Sequence, residues 1–195
     1  MTAPTQPLEG NIVRLEPLGP EHAAGLWEAS RDPAAWCWLS VVQPQTREAW
    51  DGWLAQALTQ RDAGLELPFA TVSVATGLPV GSSRFLAIRP EHRSIEIGWT
   101  WLAPSAWGTG ANAEAKLLML EHAFEALGCR RVEFKTDALN ERSRAALAAL
   151  PARFEGVHRS HMLVRAGESR DSAWYSVIEE EWPAARDALR ARLLH

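Results

Sequence analysis

The stretch Trp99–Leu127, WTWLAPSAWGTGANAEAKLLMLEHAFEAL, reads as the end of a buried strand, a proline-marked turn, a glycine-containing loop and an amphipathic helix. Leu117, Leu120, Phe124 and Leu127 follow one another at spacings of three, four and three, one apolar stripe of helical period. Gly128 stands where a left-handed residue ends a helix. The helix begins within Gly108-Thr109-Gly110-Ala111-Asn112, where two residues without Cβ let the backbone bend sharply and leave its amides open to close approach.

The first amides of a helix lack intrahelical partners and lie at the positive end of its dipole, so a strand-to-helix loop of this kind suits a phosphate or pyrophosphate. Glycines that only make a tight turn would look the same. Two phosphate loops are excluded by their own requirements. Walker A needs a Gly-Lys-Ser/Thr ending, and the dinucleotide fingerprint needs a third glycine and an acidic residue further on.

The run Ile97-Gly98-Trp99 to Leu102-Ala103-Pro104, followed by Trp107-Gly108-Thr109-Gly110-Ala111-Asn112-Ala113-Glu114-Ala115, resembles the acetyl-CoA signature of the GNAT N-acetyltransferase superfamily, in its RimJ/RimL-like branch. The family pattern Gln/Arg-x-x-Gly-x-Gly/Ala falls on Trp107, Gly110 and Asn112, and this chain differs from it at the first and third of these. The resemblance implies acetyl-CoA as co-substrate, held by Leu102, Trp107, Gly108, Thr109, Gly110, Ala111, Asn112 and Ala113.

The chain has 195 residues, enough for a sizeable core and short for two domains, so a single domain over 1–195 is expected, with residues 1–7 as a flexible start. Hydrophobic residues at 47% and charged residues at 23% are ordinary globular values, which set aside disorder. The net charge of −4 argues against a nucleic-acid groove and favours cationic acceptors. Lys116 and Lys135 are the only lysines, and the other basic residues are arginines. Cys37 and Cys129 lie far apart without metal-ligand or disulfide spacing, which suits a reducing cytoplasm. The N-terminal MTAPTQPLEG has neither a basic nor an apolar signal region, and no apolar run is long enough for a membrane span. Ten tryptophans read mainly as core, with Trp36, Trp38, Trp50 and Trp53 as an alternative substrate groove.

Taken in order, Asn11–Leu18 reads as a strand, Pro20–Ser30 as a helix, the segment to Pro44 as a mobile or substrate-facing loop, and Thr46–Ala63 as a second helix. Leu67–Ala75, Pro79–Ile88 and Ser94–Leu102 form an antiparallel meander that feeds the glycine loop. After Gly128 come the strand CRRVEFKTD, a short helix from Asn140 to Pro151, strands at Arg153–Leu163 and Ser172–Ile178, and a helix over Glu180–Leu194. This order matches the family's: an α/β (α+β) GNAT fold, with a mixed, mostly antiparallel sheet flanked by helices.

Transfer of an acetyl group to an amine needs a base for the ammonium proton and an acid for the departing thiolate. Asn140 and Ser143 match the family's Asn-x-x-Ser, which implies a pantetheine contact for Asn140 and a place near the sulfur for Ser143; a helix cap and a helix-start residue are the alternative. The tyrosine that many members use as the acid is missing from this helix, and Tyr175 reads as structural. Glu96, Asp137 and His161 remain as candidate bases. No metal-ligand spacing and no hydrolase elbow is present. The expected partners are acetyl-CoA and an amine, either a peptide N-terminus or a small molecule such as an antibiotic or polyamine, with a homodimer left open. A non-catalytic acyl-CoA-binding module is the remaining alternative.

Overall fold

A computed structural model describes residues 6–194. Residues 1–5 of the expected flexible start lie outside them. Eight strands form one sheet in the order β1-β2-β3-β4-β5-β6-β8-β7. They are β1 (Leu8–Glu9), β2 (Val13–Pro17), β3 (Leu67–Ser73), β4 (Pro79–Arg89), β5 (Ser94–Leu102), β6 (Arg131–Asp137), β7 (Arg153–Val164) and β8 (Glu168–Ile178). Every pairing is antiparallel except β5 with β6. Helices α1 (Ala23–Ala29) and α2 (Arg47–Asp62) come from the first third, α3 (Ala111–Glu121) follows β5, α4 (Glu141–Ala148) follows β6, and α5 (Trp182–Leu193) closes the chain.

Strand alternation divides the core between the two faces of the sheet. Leu67 and Phe69 of β3 point to the α3 and α5 side, while Ala70 and Val72 pack with the buried residues of α1 and α2. Trp36, Trp50 and Trp53 are core residues of that second face, packed with Trp101, so the groove reading fails for three of the four clustered tryptophans. Trp50 and Trp53 stack at 4.9 Å and Trp36 lies 5.5 Å from Trp101, ring centre to ring centre.

The signature helix is more deeply buried than its stripe predicts. Ala113, Glu114, Ala115, Lys116 and Met119 are sealed as well as Leu117 and Leu120, because α3 is pressed between the sheet and α5. After Glu121 the helix widens into a π turn over His122–Ala126, and Gly128 follows at φ +64°. The turn leaves Phe124 only half-buried, stacked on Trp182 at 5.1 Å. Among the described residues no helix is long and apolar enough to cross a membrane.

Candidate active site

The site follows from one interruption in the sheet. Strands β5 and β6 pair in parallel only at Ser94 with Arg131, Ile95 with Val132 and Glu96 with Glu133. Beyond Glu96 they part. β6 stays with β8 along its whole length and β5 stays with β4, so a wedge opens between 97–102 and 134–137. A bulge deepens it: Ser82 faces Trp101 and Arg84 faces Gly98, which leaves Trp99 and Thr100 opposite Ser83 alone. Trp99 takes φ +51°, a conformation a bulky residue adopts only when its surroundings impose it. The bulge also reverses which face the strand residues take. Ile95 and Ile97 face α3, and so does Leu102, while Trp101 turns to the tryptophan cluster.

A cavity of about 830 Å³ fills the wedge, lined from the α3 side to the loop before α2. The sequence candidates Leu102, Trp107, Gly108, Thr109, Gly110, Asn112, Ala113, Asn140, Ser143 and Glu96 all line it. Two do not. Ala111 is packed into the core, and its amide is taken by Thr109 Oγ1 at 3.3 Å. His161 is turned away from the cavity: its Nδ1 shares a hydrogen bond of 3.0 Å with Ser172 Oγ, and its ring sits against His158 and Trp174. Burial, then the nearby charge of Lys135, holds the His161 imidazole below its usual pKa. Asp137, the third candidate base, is also off the lining; its Oδ1 accepts from the amide of Leu139 at 3.0 Å.

On the α3 side the lining is backbone and small side chains. Gly110 caps α3 at φ +87° with no side-chain cap, and the amides of Asn112 and Ala113 have no hydrogen-bond acceptor among the described residues. Such a helix start attracts an anion. The two glycines differ. A Cβ on Gly108 would meet nothing within 4 Å, whereas one on Gly110 would lie 2.8 Å from Ile12 Cδ1. Gly110 is therefore constrained by the fold itself, through its left-handed backbone and the Ile12 side chain, and replacing it would cost stability. Glu114, next in the signature, ties the loop down: its carboxylate accepts from the amides of Asn11, Ile12 and Val13 at 2.9, 2.6 and 2.7 Å. Trp107 is held by a 3.0 Å bond from its Nε1 to Leu102 O, with the Arg142 guanidinium 3.7 Å over its ring.

Asn140 does cap α4, its Oδ1 accepting from the Ser143 amide at 3.1 Å. That bond leaves the Ser143 hydroxyl free to face the cavity, because capping uses only its backbone. Tyr175 is buried, with Arg144 Nε donating to its hydroxyl at 3.2 Å.

Charged side chains supply the other end of the lining. Glu96 is 2% exposed and accepts from Lys135 Nζ at 2.9 Å. Burial pushes its carboxyl above the usual range, and Lys135 pulls in the opposite direction. Arg170 of β8 lines the cavity nearby, and Trp38, Leu39 and Ser40 close it. That loop is clamped by Arg165 in the β7–β8 turn, whose Nη1 donates to Leu39 O at 2.9 Å and whose amide donates to Ser40 O at 2.8 Å.

Sequence reasoning missed Lys116 and Arg170 and gave Lys135 no role. Lys116 is buried on α3 without an acidic partner, donating to Ser83 Oγ at 3.0 Å and to Thr100 Oγ1. Burial lowers its pKa to about 7. Both lysines of a chain otherwise furnished with arginine line this one cavity, and that scarcity is the signal. Lysine is a compact charge whose pKa moves on burial, which arginine cannot replace.

Comparison with known proteins agrees with this geometry. A family model described as an acetyltransferase (GNAT) domain matches residues 13–152. A GCN5-related N-acetyltransferase from Brucella melitensis is 35% identical with a TM-score of 0.92, covering 99% of this chain and 87% of that one. A probable GNAT-family acetyltransferase from Chromobacterium violaceum is 30% identical with a TM-score of 0.86, covering 94% of this chain and 91% of its own. Mycobacterium smegmatis RimJ in complex with CoA-disulfide shares the fold at 24% identity and a TM-score of 0.78, over 96% of this chain and 97% of that one. A search of curated proteins finds no match. The match across most of the strands and helices, together with relatives at 30% and 35% identity, establishes that this chain belongs to the GNAT acetyltransferase family.

Proposed function

We propose that this protein transfers the acetyl group of acetyl-CoA to a primary amine, with Glu96 as the base and Ser143 as the group beside the departing sulfur. The observation that carries the reading is the fork at Glu96, where a buried carboxylate sits at the point at which the strands part. The α3 side fits acetyl-CoA in its chemistry. Unpaired amides and open space at Gly108 suit the pyrophosphate, and Arg142 and Arg192 place positive charge on the lining.

When bound, acetyl-CoA supplies a thioester carbonyl to the amine; a C–N bond forms, the C–S bond breaks, and the thiolate needs a proton. An amine arrives protonated at neutral pH. Glu96, its pKa raised by burial with Lys135 pulling the other way, is suited to take that proton. The Ser143 hydroxyl donates to sulfur as charge develops, an interaction stronger in the transition state than before it. Amides of β5 beyond Glu96, relieved of pairing on the β6 side, are available to the carbonyl oxygen.

The acceptor is a peptide N-terminus or a small amine. The test is calorimetric binding of acetyl-CoA followed by thiol release against a panel of amines and N-terminal peptides. Binding with turnover of any of them supports the reading; absence of binding near millimolar concentration ends it, and binding without any turnover leaves an acyl-CoA-binding module.

A further inference from the structure

Among the described residues two guanidinium groups are deeply buried and both leave Nε without a hydrogen-bond partner, but only Arg84 is hydrogen-bonded to a carboxylate. Arg84 is 3% exposed, bonds Glu66 Oε2 at 2.7 Å, and lies between the rings of Trp53 and Trp99. Arg170 is 7% exposed, and its Nε, sealed from solvent, has no hydrogen-bond partner. The nearest carboxylate oxygen, Asp137 Oδ2, is 4.0 Å away, beyond hydrogen-bond reach. Asp137 spends its other oxygen on the amide of Leu139. Buried polar groups are nearly always bonded, and a buried charge without a bonded partner is costly enough to need a reason.

Arg170 lines the same cavity as Glu96, close enough for the two charges to interact. We infer that Arg170 binds an oxygen of the acceptor, so that the acceptor is an α-aminoacyl compound, with its nitrogen at Glu96 and its adjoining carboxylate or carbonyl oxygen on the guanidinium. The inference rests on the acetyl-transfer reading and narrows its acceptor. A guanidinium presents its donors as a planar fork that matches a carboxylate and also serves a single carbonyl. A free α-amino acid and a peptide N-terminus both carry an oxygen on the carbon next to the amine-bearing one. Alkylamines and polyamines lack it, and a polyamine brings a second positive charge toward Arg170. The local field therefore opposes what the acidic net charge favours. Burial also depresses the Arg170 pKa, which an arriving anion would reverse.

The experiment compares L-alanine, L-alaninamide and isopropylamine as acceptors for the wild-type protein and for R170M, by thiol release at saturating acetyl-CoA. The oxygen-bearing acceptors are expected to exceed isopropylamine in kcat/KM by roughly 10- to 100-fold, the usual strength of a hydrogen bond to a charged group. R170M should erase that preference through acceptor KM, leaving acetyl-CoA KM unchanged. The ratio of alanine to alaninamide tells a free amino acid from a peptide N-terminus. Isopropylamine turned over as well as the others, or a preference that survives R170M, overturns the inference while acetyl transfer stands.

If none of these three is turned over, acetyl transfer is judged on the wider panel of amines and N-terminal peptides. Calorimetric titration of alanine and alaninamide into the CoA-loaded protein then reads Arg170 alone, and equal binding to wild type and R170M overturns it. R170M is expected to melt no lower than wild type, since no hydrogen bond is lost. If it does not fold, R170M/D137N removes the stranded carboxylate and carries the same comparison.

Discussion

The two halves of the cavity are built on opposite plans. On the α3 side the protein offers mainly backbone: an uncapped helix start, two glycines in the left-handed region and small side chains, with Lys116, Trp107, Arg142 and Arg192 as the larger groups. Around Glu96 it offers side chains drawn from the loop before α2 and from β5, β6 and β8, with charges buried beside one another. Backbone chemistry is the same for every sequence that can adopt the loop, so the first plan suits a ligand shared across a family. Buried charge is specific and expensive, so the second plan suits the partner that distinguishes one member from another.

The contrast breaks most sharply at Glu96. Glu96→Gln keeps the shape and removes the base, and is expected to lower kcat by about 10² to 10⁴, the usual range for general base catalysis, with acetyl-CoA affinity unchanged by calorimetry. If affinity falls and kcat does not, Glu96 belongs to the cofactor half. The pH profile sharpens the test. Glu96 acts deprotonated and its pKa is raised by burial, so the rate should fall on acidification above the ordinary carboxylate range. Lys135 lowers that pKa, so Lys135→Met should move the acid limb to higher pH.

Lys116 is the exception on the cofactor side, a buried charge without an acid. Its folded pKa, about 7, lies below the ordinary lysine value of 10.5 that the unfolded chain would show. Between those values the unfolded state binds the extra proton, so stability from this group rises with pH through that window and the penalty is complete below pH 7. Lys116→Met should therefore be the more stable protein at pH 6, on the order of 3 kcal/mol by denaturant unfolding, with the gain fading toward pH 10. Ser83 and Thr100 would keep their mutual 2.7 Å bond. Equal stability of the two proteins at pH 6 would mean that the lysine is solvated.

Ser143→Ala tests whether the two plans meet at the sulfur. The Asn140 cap uses the Ser143 amide, which alanine retains, so helix α4 should be undisturbed. The rate should fall roughly 10- to 100-fold with little change in affinity, a water in place of the hydroxyl giving the smaller figure. Full turnover would leave Ser143 as a helix-start residue.

The same difference decides what could be read from the sequence. The loop from Trp107 to Ala113 is contiguous, its glycines have a conformational reason, and its helix period is plain, so the α3 side of the cavity was legible. Around Glu96, strand parity governs which side chain enters the cavity, and bulges reset parity invisibly. In β7 the register slips between His158 and Met162, with Ser160 at φ +48°, so Met162 lines the cavity and His161 does not. Ordinary histidine chemistry made His161 attractive; geometry removes it. Arg170 was unreadable for another reason. Its meaning lies in a missing partner, and a sequence does not show what a side chain fails to touch.

The smallest effect is expected where the family pattern is broken most openly, at Trp107. A side chain that replaces a polar signature residue could contact the ligand itself or could only brace the loop. Its geometry favours bracing: Nε1 is engaged with Leu102 O, one ring face lies against Arg142, and a third of the residue is exposed at 36%. A cation–π contact at such an exposed place is worth about 0.5–1 kcal/mol, so Trp107→Ala should weaken acetyl-CoA binding by only about two- to fivefold. Arg142→Ala should do much the same, and the double variant should be little worse than either, because both remove one contact. Additive losses in that cycle would show that Trp107 and Arg142 reach the ligand separately, and the cofactor half would then owe part of its affinity to side chains after all.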